Sequence, residues 1–329
     1  MTLTSMIFAA SLAASSASGP APGAPPAPSP AADPANAVIA AAGEHHGQVA
    51  VYAENLRTGR TITLDADAPV PTASVIKLAA LYEAMAQLRD GRVRFDERLK
   101  LTRDNQVEGS GLLAFLDTPA ELTFKDALTM MIVASDNTAT NMVLDRLGGP
   151  GVVTARMRSL GLTQTTFYKK VFKPIEGPVP PEQPRFGLGR TTAREMAQLM
   201  TRIVRCRLDT ARGPAAAEPA ASDRAICAVT LKMLRDQQDR QGIPRYLEGV
   251  DSSVDGSAIA HKTGAVDAAR NDVAALATPE GTIVLSIFTH DNRDQSWSVD
   301  DEGDRTIARI ARIIVNAWSP KGLDASKGW

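Results

Sequence analysis

Strand-forming segments stand at both ends of this chain and helix-forming segments fill its middle, and that order constrains the fold more than any other feature. Gln48 to Leu56 alternates toward a strand, Arg57-Thr58-Gly59-Arg60 reads as a hairpin turn, and TITL follows as the partner strand. Toward the other end, Asp272 to Ala277 and Thr282 to Thr289 read as strands joined at Pro279-Glu280-Gly281. In between, Val75 to Leu88, Thr123 to Val133, Asn137 to Leu147, Thr191 to Val204 and Ala225 to Gln238 read as helices from the spacing of their apolar residues. A helix capped at Asp33-Pro34 and ending at Gly43 precedes the first strand, and an amphipathic helix from Arg305 to Trp318 follows the last. The expected fold is therefore α/β: an antiparallel sheet flanked by the terminal helices, drawn from residues 36–70 and 245–329, with an all-α region, 71–244, inserted between its halves and a cleft where the two meet.

Composition supports one sizeable core. The chain has 329 residues, 44% of them hydrophobic and 22% charged, as ordinary globular proteins do. Its 36 basic and 37 acidic residues leave a net charge of −1, which offers no electrostatic footprint for nucleic acid. Cys206 and Cys227 form no zinc-binding spacing, and no metal or cofactor is expected. The two lie far from the N-terminus, as a disulfide or as reduced buried thiols.

The N-terminal segment reads as a leader and a linker. Met6 to Ala14 is an apolar run followed by small residues, too short to span a bilayer and of the length of a signal-peptide core. Residues 1–18 are read as a signal peptide that lacks a basic n-region, since no Lys or Arg precedes Arg57. The expected location is periplasmic or secreted, without stable membrane insertion. Residues 19–35 are proline- and alanine-rich and read as an extended linker. The folded catalytic domain is expected over 36–329, with no prediction of its oligomeric state.

Three short motifs carry the chemistry. Ser74-Val75-Ile76-Lys77 places a hydroxyl and an amine three residues apart at a helix start, on one face. A serine hydroxyl is a weak nucleophile without a base beside it, and Lys77 is in reach to serve. Taken alone, the pair reads equally as a helix-capping serine and a surface lysine. Ser135-Asp136-Asn137 lies at a junction of two helices, where Ser135 can relay a proton, Asp136 pins the loop, and Asn137 can orient Lys77 and a substrate amide. Lys262-Thr263-Gly264, followed by Ala265, fits an edge strand: Lys262 would bind a carboxylate, Gly264 would admit a close approach of substrate, and the Ala265 N–H would join that of Ser74 as an oxyanion donor. Each motif is weak alone, yet all three in this order are expected by chance in roughly one chain in a thousand or fewer.

The set resembles the active-site serine penicillin-recognising enzymes, and class A β-lactamases most of all. Glu108-Gly109-Ser110-Gly111-Leu112-Leu113 and Met131 to Asn141 are also similar to that family, and the resemblance runs from about Asn36 to Trp318. It implies a β-lactamase/transpeptidase-like fold with Ser74 as the acylated nucleophile, Lys77 as base, Ser135 as proton shuttle, Asn137 as amide partner, and Lys262 and Thr263 as carboxylate binders. It implies β-lactam hydrolysis, and with it antibiotic resistance, on a small β-lactam. The alternative is a D,D-peptidase or penicillin-binding protein acting on the D-Ala-D-Ala end of a peptidoglycan stem peptide.

The chain departs from the family where a glutamate in a Glu-x-x-Leu-Asn loop activates the deacylating water. Counting forward from Asn137 lands near Val171, whereas counting back from Thr191-Thr192-Ala193 lands near Glu176 in the loop KPIEGPVPPEQP. Glu176 is taken as the catalytic candidate, with Glu182 as a weaker one. Around these motifs, Arg270 reads as a surface arginine rather than a carboxylate partner, His261 points away from Lys262, His45, His46 and His290 read as solvated, and Trp297 and Trp318 read as packing residues.

Overall fold

The computed structural model describes residues 33–175, 177–208, 219–247 and 256–327. The expectations for residues 1–32 and for Glu176 lie outside them. In chain order the elements begin with helix α1 (Pro34–Gly43) and strands β1 (Gln48–Asn55), β2 (Thr61–Leu64) and β3 (Val70–Pro71). A 3₁₀ turn over Ala73–Ile76 runs into helix α2 (Lys77–Arg89), and the ribbon β4 (Arg98–Leu101) and β5 (Ala120–Thr123) follows. Next come α3 (Phe124–Val133), α4 (Asn137–Leu147), α5 (Pro150–Ser159), β6 (Thr166–Phe167), the single turn α6 (Gln183–Phe186) and β7 (Gly189–Thr191). Helices α7 (Ala193–Val204) and α8 (Ala221–Arg235) precede strands β8 (Ile259–Val266), β9 (Ala269–Leu276) and β10 (Ile283–His290), and α9 (Glu302–Trp318) closes the described chain.

Strands from both ends share one antiparallel sheet in the order β2-β1-β10-β9-β8. Period-two alternation divides their side chains between two cores. Val49, Val51 and Ala53 of β1 and Ile283, Leu285 and Ile287 of β10 pack with α1 and with Ile307, Ile310, Ile314 and Trp318 of α9. Ala50 and Tyr52 of β1, with Val284 and Phe288 of β10, face the helical body built on α2, α3, α4, α7 and α8. Burying each large apolar side chain of α9 stabilises the fold by roughly 2 kcal/mol, enough to hold the terminal helix on the sheet.

Several local expectations are corrected. Thr191 belongs to β7 and Thr192 caps α7 by accepting the Glu195 N–H, so that helix starts at Ala193. Helix α8 begins four residues ahead of the expected start and ends at Arg235. Buried His45, rather than standing in solvent, bonds Asn292 (2.9 Å) and Thr306 (3.2 Å), while His46 and His290 pair with Glu302 and Asp291. Arg270, expected at the surface, is buried, pairs with Asp301 at 3.3 Å and stacks on Trp297. Trp297 does that stacking from the surface, 67% exposed, whereas Trp318 is buried as expected. Cys206 and Cys227 form a disulfide between the end of α7 and α8.

Candidate active site

The fold brings the three motifs together. The 3₁₀ turn presents Ser74, half-buried, and the first residue of α2 is Lys77, fully buried. Lys77 Nζ donates to Ser135 O (2.6 Å), Ser135 Oγ (3.1 Å) and Asn137 Oδ1 (3.0 Å). From the edge strand β8, equally buried Lys262 donates to the same Ser135 Oγ at 3.0 Å and to Thr263 O at 2.8 Å. Two amines therefore converge on one hydroxyl. Once Lys77 is an ammonium and makes all three donations, both acceptor positions of Ser135 Oγ are occupied and its own hydrogen is the one left to donate outward.

The Ser135 loop is held in an uncommon shape. Ser135 has φ +53°, a left-handed conformation that a serine adopts at a cost on the order of 1 kcal/mol. Asp136 fixes it: one carboxylate oxygen caps α4 at Ala139 N (2.8 Å), and the other accepts the N–H groups of Leu112 and Leu113 (2.7 and 2.8 Å). Asp136 is thus both helix cap and loop anchor.

Burial sets the charge states. Burial holds Lys77 well below the usual lysine range, the neighbouring Lys262 cation pushes the same way, and Asp136 opposes both. Burial also lowers Lys262, to about 8, against the opposing pull of Asp239 and Asp272. Lys77 is the more readily deprotonated amine and Lys262 the one that keeps its charge near neutral pH.

Gly264 makes a contact within the protein that its motif does not announce. A Cβ at this position would lie 2.7 Å from Val75 N, 2.8 Å from Thr72 O and 2.9 Å from Ser74 N. The β8 strand and the turn carrying Ser74 therefore approach each other closely at this glycine. Thr263 and Ala265 flank this contact, and His261 is buried with Nδ1 3.1 Å from Asp272 Oδ1, away from Ser135.

Two anchoring residues escape the motif reading. Asn271, opposite Gly264 in the β8–β9 register, donates to Pro71 O (3.0 Å) and Thr72 O (3.2 Å), tying the chain ahead of Ser74 to the sheet. Asn141 stands one helical turn beyond Asn137, on the same face of α4. It donates to Val171 O (2.9 Å) and accepts from Val171 N (2.8 Å), so buried Val171 occupies the position that forward spacing assigns to the water-activating carboxylate. Glu182, the weaker candidate, accepts the Tyr168 hydroxyl at 3.2 Å.

The profile of the β-lactamase enzyme family matches residues 31–318. The chain belongs to the β-lactamase enzyme family. A β-lactamase of Streptomyces fradiae is 28% identical over 291 residues, covering 83% of this chain and 82% of its own. The crystal structure of a β-lactamase from Sphaerobacter thermophilus matches with a TM-score of 0.70 at 26% identity, over 86% of this chain and 96% of that one. PBP-A shares the fold with a TM-score of 0.68 at 24% identity, over 88% of this chain and 97% of its own. The family's α/β architecture, with an antiparallel sheet and packed helices, is the one described above.

Proposed function

We propose that this protein is a class A-like serine β-lactamase in which Ser74 forms an acyl-enzyme with a β-lactam. The observation that carries this reading is the convergence of Lys77 and Lys262 on Ser135 Oγ, beside the turn that bears Ser74. In the acylation step Ser74 Oγ attacks the lactam carbonyl and its proton passes to neutral Lys77. The N–H groups of Ser74 and Ala265 hold the oxyanion, with Gly264 keeping their two elements in contact. The C–N bond then breaks as Ser135 gives its proton to the leaving nitrogen, and Lys77 restores that proton to Ser135. Asn137 holds the acyl amide, and Lys262 and Thr263 hold the substrate carboxylate. Hydrolysis of the ester needs a base for water, and Glu176 in the loop after Val171 is assigned that role.

Export to the periplasm or the medium belongs to the same reading. The apolar run Met6 to Ala14 has the length of a signal-peptide core, and the Cys206–Cys227 disulfide fits an oxidising compartment. Among the described residues no helix is long and apolar enough to cross a membrane.

Intact-protein mass after mixing with penicillin G, with a chromogenic cephalosporin in parallel, tests the reading. Turnover with no lasting adduct is expected, and Ser74→Ala should abolish both adduct and turnover. A persistent one-drug adduct would mark slow, D,D-peptidase-like deacylation instead. Activity that survives Ser74→Ala would overturn the assignment.

A further inference from the structure

Three residues beside the motifs stand at positive φ without being glycine: Ala73 before Ser74, Ser135 itself, and Phe172 after Val171. The first two belong to the motif turns. Phe172 belongs to none of them, yet φ +53° is a conformation that a bulky side chain rarely adopts. It is also 59% exposed. The paired Asn141–Val171 bonds hold the peptide planes immediately before it, and its ring points in one definite direction.

That direction is toward the amide of Asn137. A Cβ built on Gly109 would lie 3.0 Å from Phe172 Cε2, 3.6 Å from Phe172 Cζ and 2.7 Å from Asn137 Nδ2. The ring edge and the amide nitrogen thus close on one point from two sides, and only the missing side chain of Gly109 leaves room for both. Asn137 Oδ1 meanwhile accepts from Lys77 Nζ at 3.0 Å. A largely exposed aromatic residue therefore stands beside Asn137, whose Nδ2 donates to Glu108 O at 3.1 Å and is assigned above to the substrate amide. The loop bearing Gly109 adds a second apolar side chain, Leu112, also 59% exposed.

We propose that Phe172 is a specificity-determining residue, whose ring is the platform for an aryl or branched alkyl substituent on the acyl amide of the substrate. This rests on the assignment of Ser74 and Asn137 made above. Substrates with an apolar acylamino side chain gain an aromatic contact and shed apolar surface from water. Those with no acyl group gain nothing, and a charged group there is desolvated without a partner.

The test compares kcat/KM for penicillin G, for a penicillin carrying a carboxylate on the same benzyl side chain, and for the bare penicillin nucleus. The unaltered protein should favour penicillin G over both. Phe172→Ala should lower kcat/KM about tenfold for penicillin G and less than about twofold for the bare nucleus, while Phe172→Tyr should restore the preference. Equal losses on all three substrates would make Phe172 a structural residue and overturn the platform. So would an unaltered protein with no preference, a result that does not depend on any variant folding. If the unaltered protein reacts with none of them at Ser74, the reading of the site fails first and the platform with it.

Discussion

Asn141 and Val171 exchange two hydrogen bonds, side-chain amide to backbone, which fix an apolar residue where the neighbouring motifs would direct a carboxylate. The residues proposed for acylation all lie among the described ones. The hydrolytic half depends on what the loop beyond Val171 supplies.

Val171→Glu should therefore shorten the life of the acyl-enzyme. The same Asn141 bonds would hold the backbone of the new residue, and its carboxylate could take a proton from water, a role worth about tenfold or more in rate. Time-resolved intact mass with penicillin G reads this directly, with acylation as the internal control. Glu176→Ala is the companion variant: lengthening the adduct's life assigns the base to Glu176, and no effect removes it from the mechanism. An adduct equally long-lived in Val171→Glu and the unaltered protein would show that water, not the base, is missing there.

The pH dependence of acylation follows from the two lysines. As the proposed base Lys77 must be neutral, so the rate should rise with pH through its lowered pKa. Lys262 must keep its charge to bind a carboxylate, so the rate falls as pH passes about 8. The profile of second-order acylation should be a bell, although two groups sharing Ser135 titrate as a pair and the limbs belong to both. A flat profile between about pH 6 and 9 would contradict the lysine-base assignment.

How much of this was legible beforehand divides by the range of the interaction. The split of the sheet between the chain ends, the main helices and the three motifs are local patterns of spacing and are readable, whereas the short strands β4 to β7 inside the region expected to be all-α are not. Buried Lys77 and Lys262 could be named, but their meeting at Ser135 joins residues 58 and 127 positions apart. Arg270 and His45 were misread because polarity suggests solvent, whereas Asp301 and Asn292 reach them only through the fold. Asn141 offered a signal, one turn beyond Asn137, but its purpose was unreadable until Val171 was seen on it. Gly264 is readable as a point of close approach, but the Ser74 turn packed on it is not, since nothing in sequence places that turn against β8.

Gly264→Ala tests that contact. An added methyl would press on the backbone of Thr72, Ser74 and Val75 at once, and backbone cannot swing aside as a flexible side chain can. The strand and the turn must separate, pulling the Ala265 N–H out of line with that of Ser74. Acylation should fall on the order of 100-fold, the cost of losing one oxyanion donor. The shared antiparallel ladder with β9 should keep the fold intact. Acylation and the thermal midpoint measured on the same sample separate the two effects; an unchanged acylation rate would remove Gly264 from the oxyanion geometry.

The disulfide should matter to stability and not to chemistry. Cys206 and Cys227 are 21 positions apart and tie the end of α7 to α8. Cys227 packs in the helical core, while the hydroxyls and amines of the site sit on the 3₁₀ turn, the α3–α4 junction and β8. Closing a loop of this length restricts the unfolded chain and is worth about 3 kcal/mol. Replacing both cysteines by serine, or adding a reductant, should therefore lower the thermal midpoint by several degrees. Part of the loss would come from setting serine hydroxyls where sulfur now packs against apolar neighbours. The acylation rate of the folded protein at 25 °C should stay within about twofold, because neither sulfur touches a residue of the site. A reductant that left the midpoint unmoved would show the bridge to be without weight in the fold, and one that stopped acylation at a temperature where the protein remains folded would tie α7 and α8 to the chemistry after all.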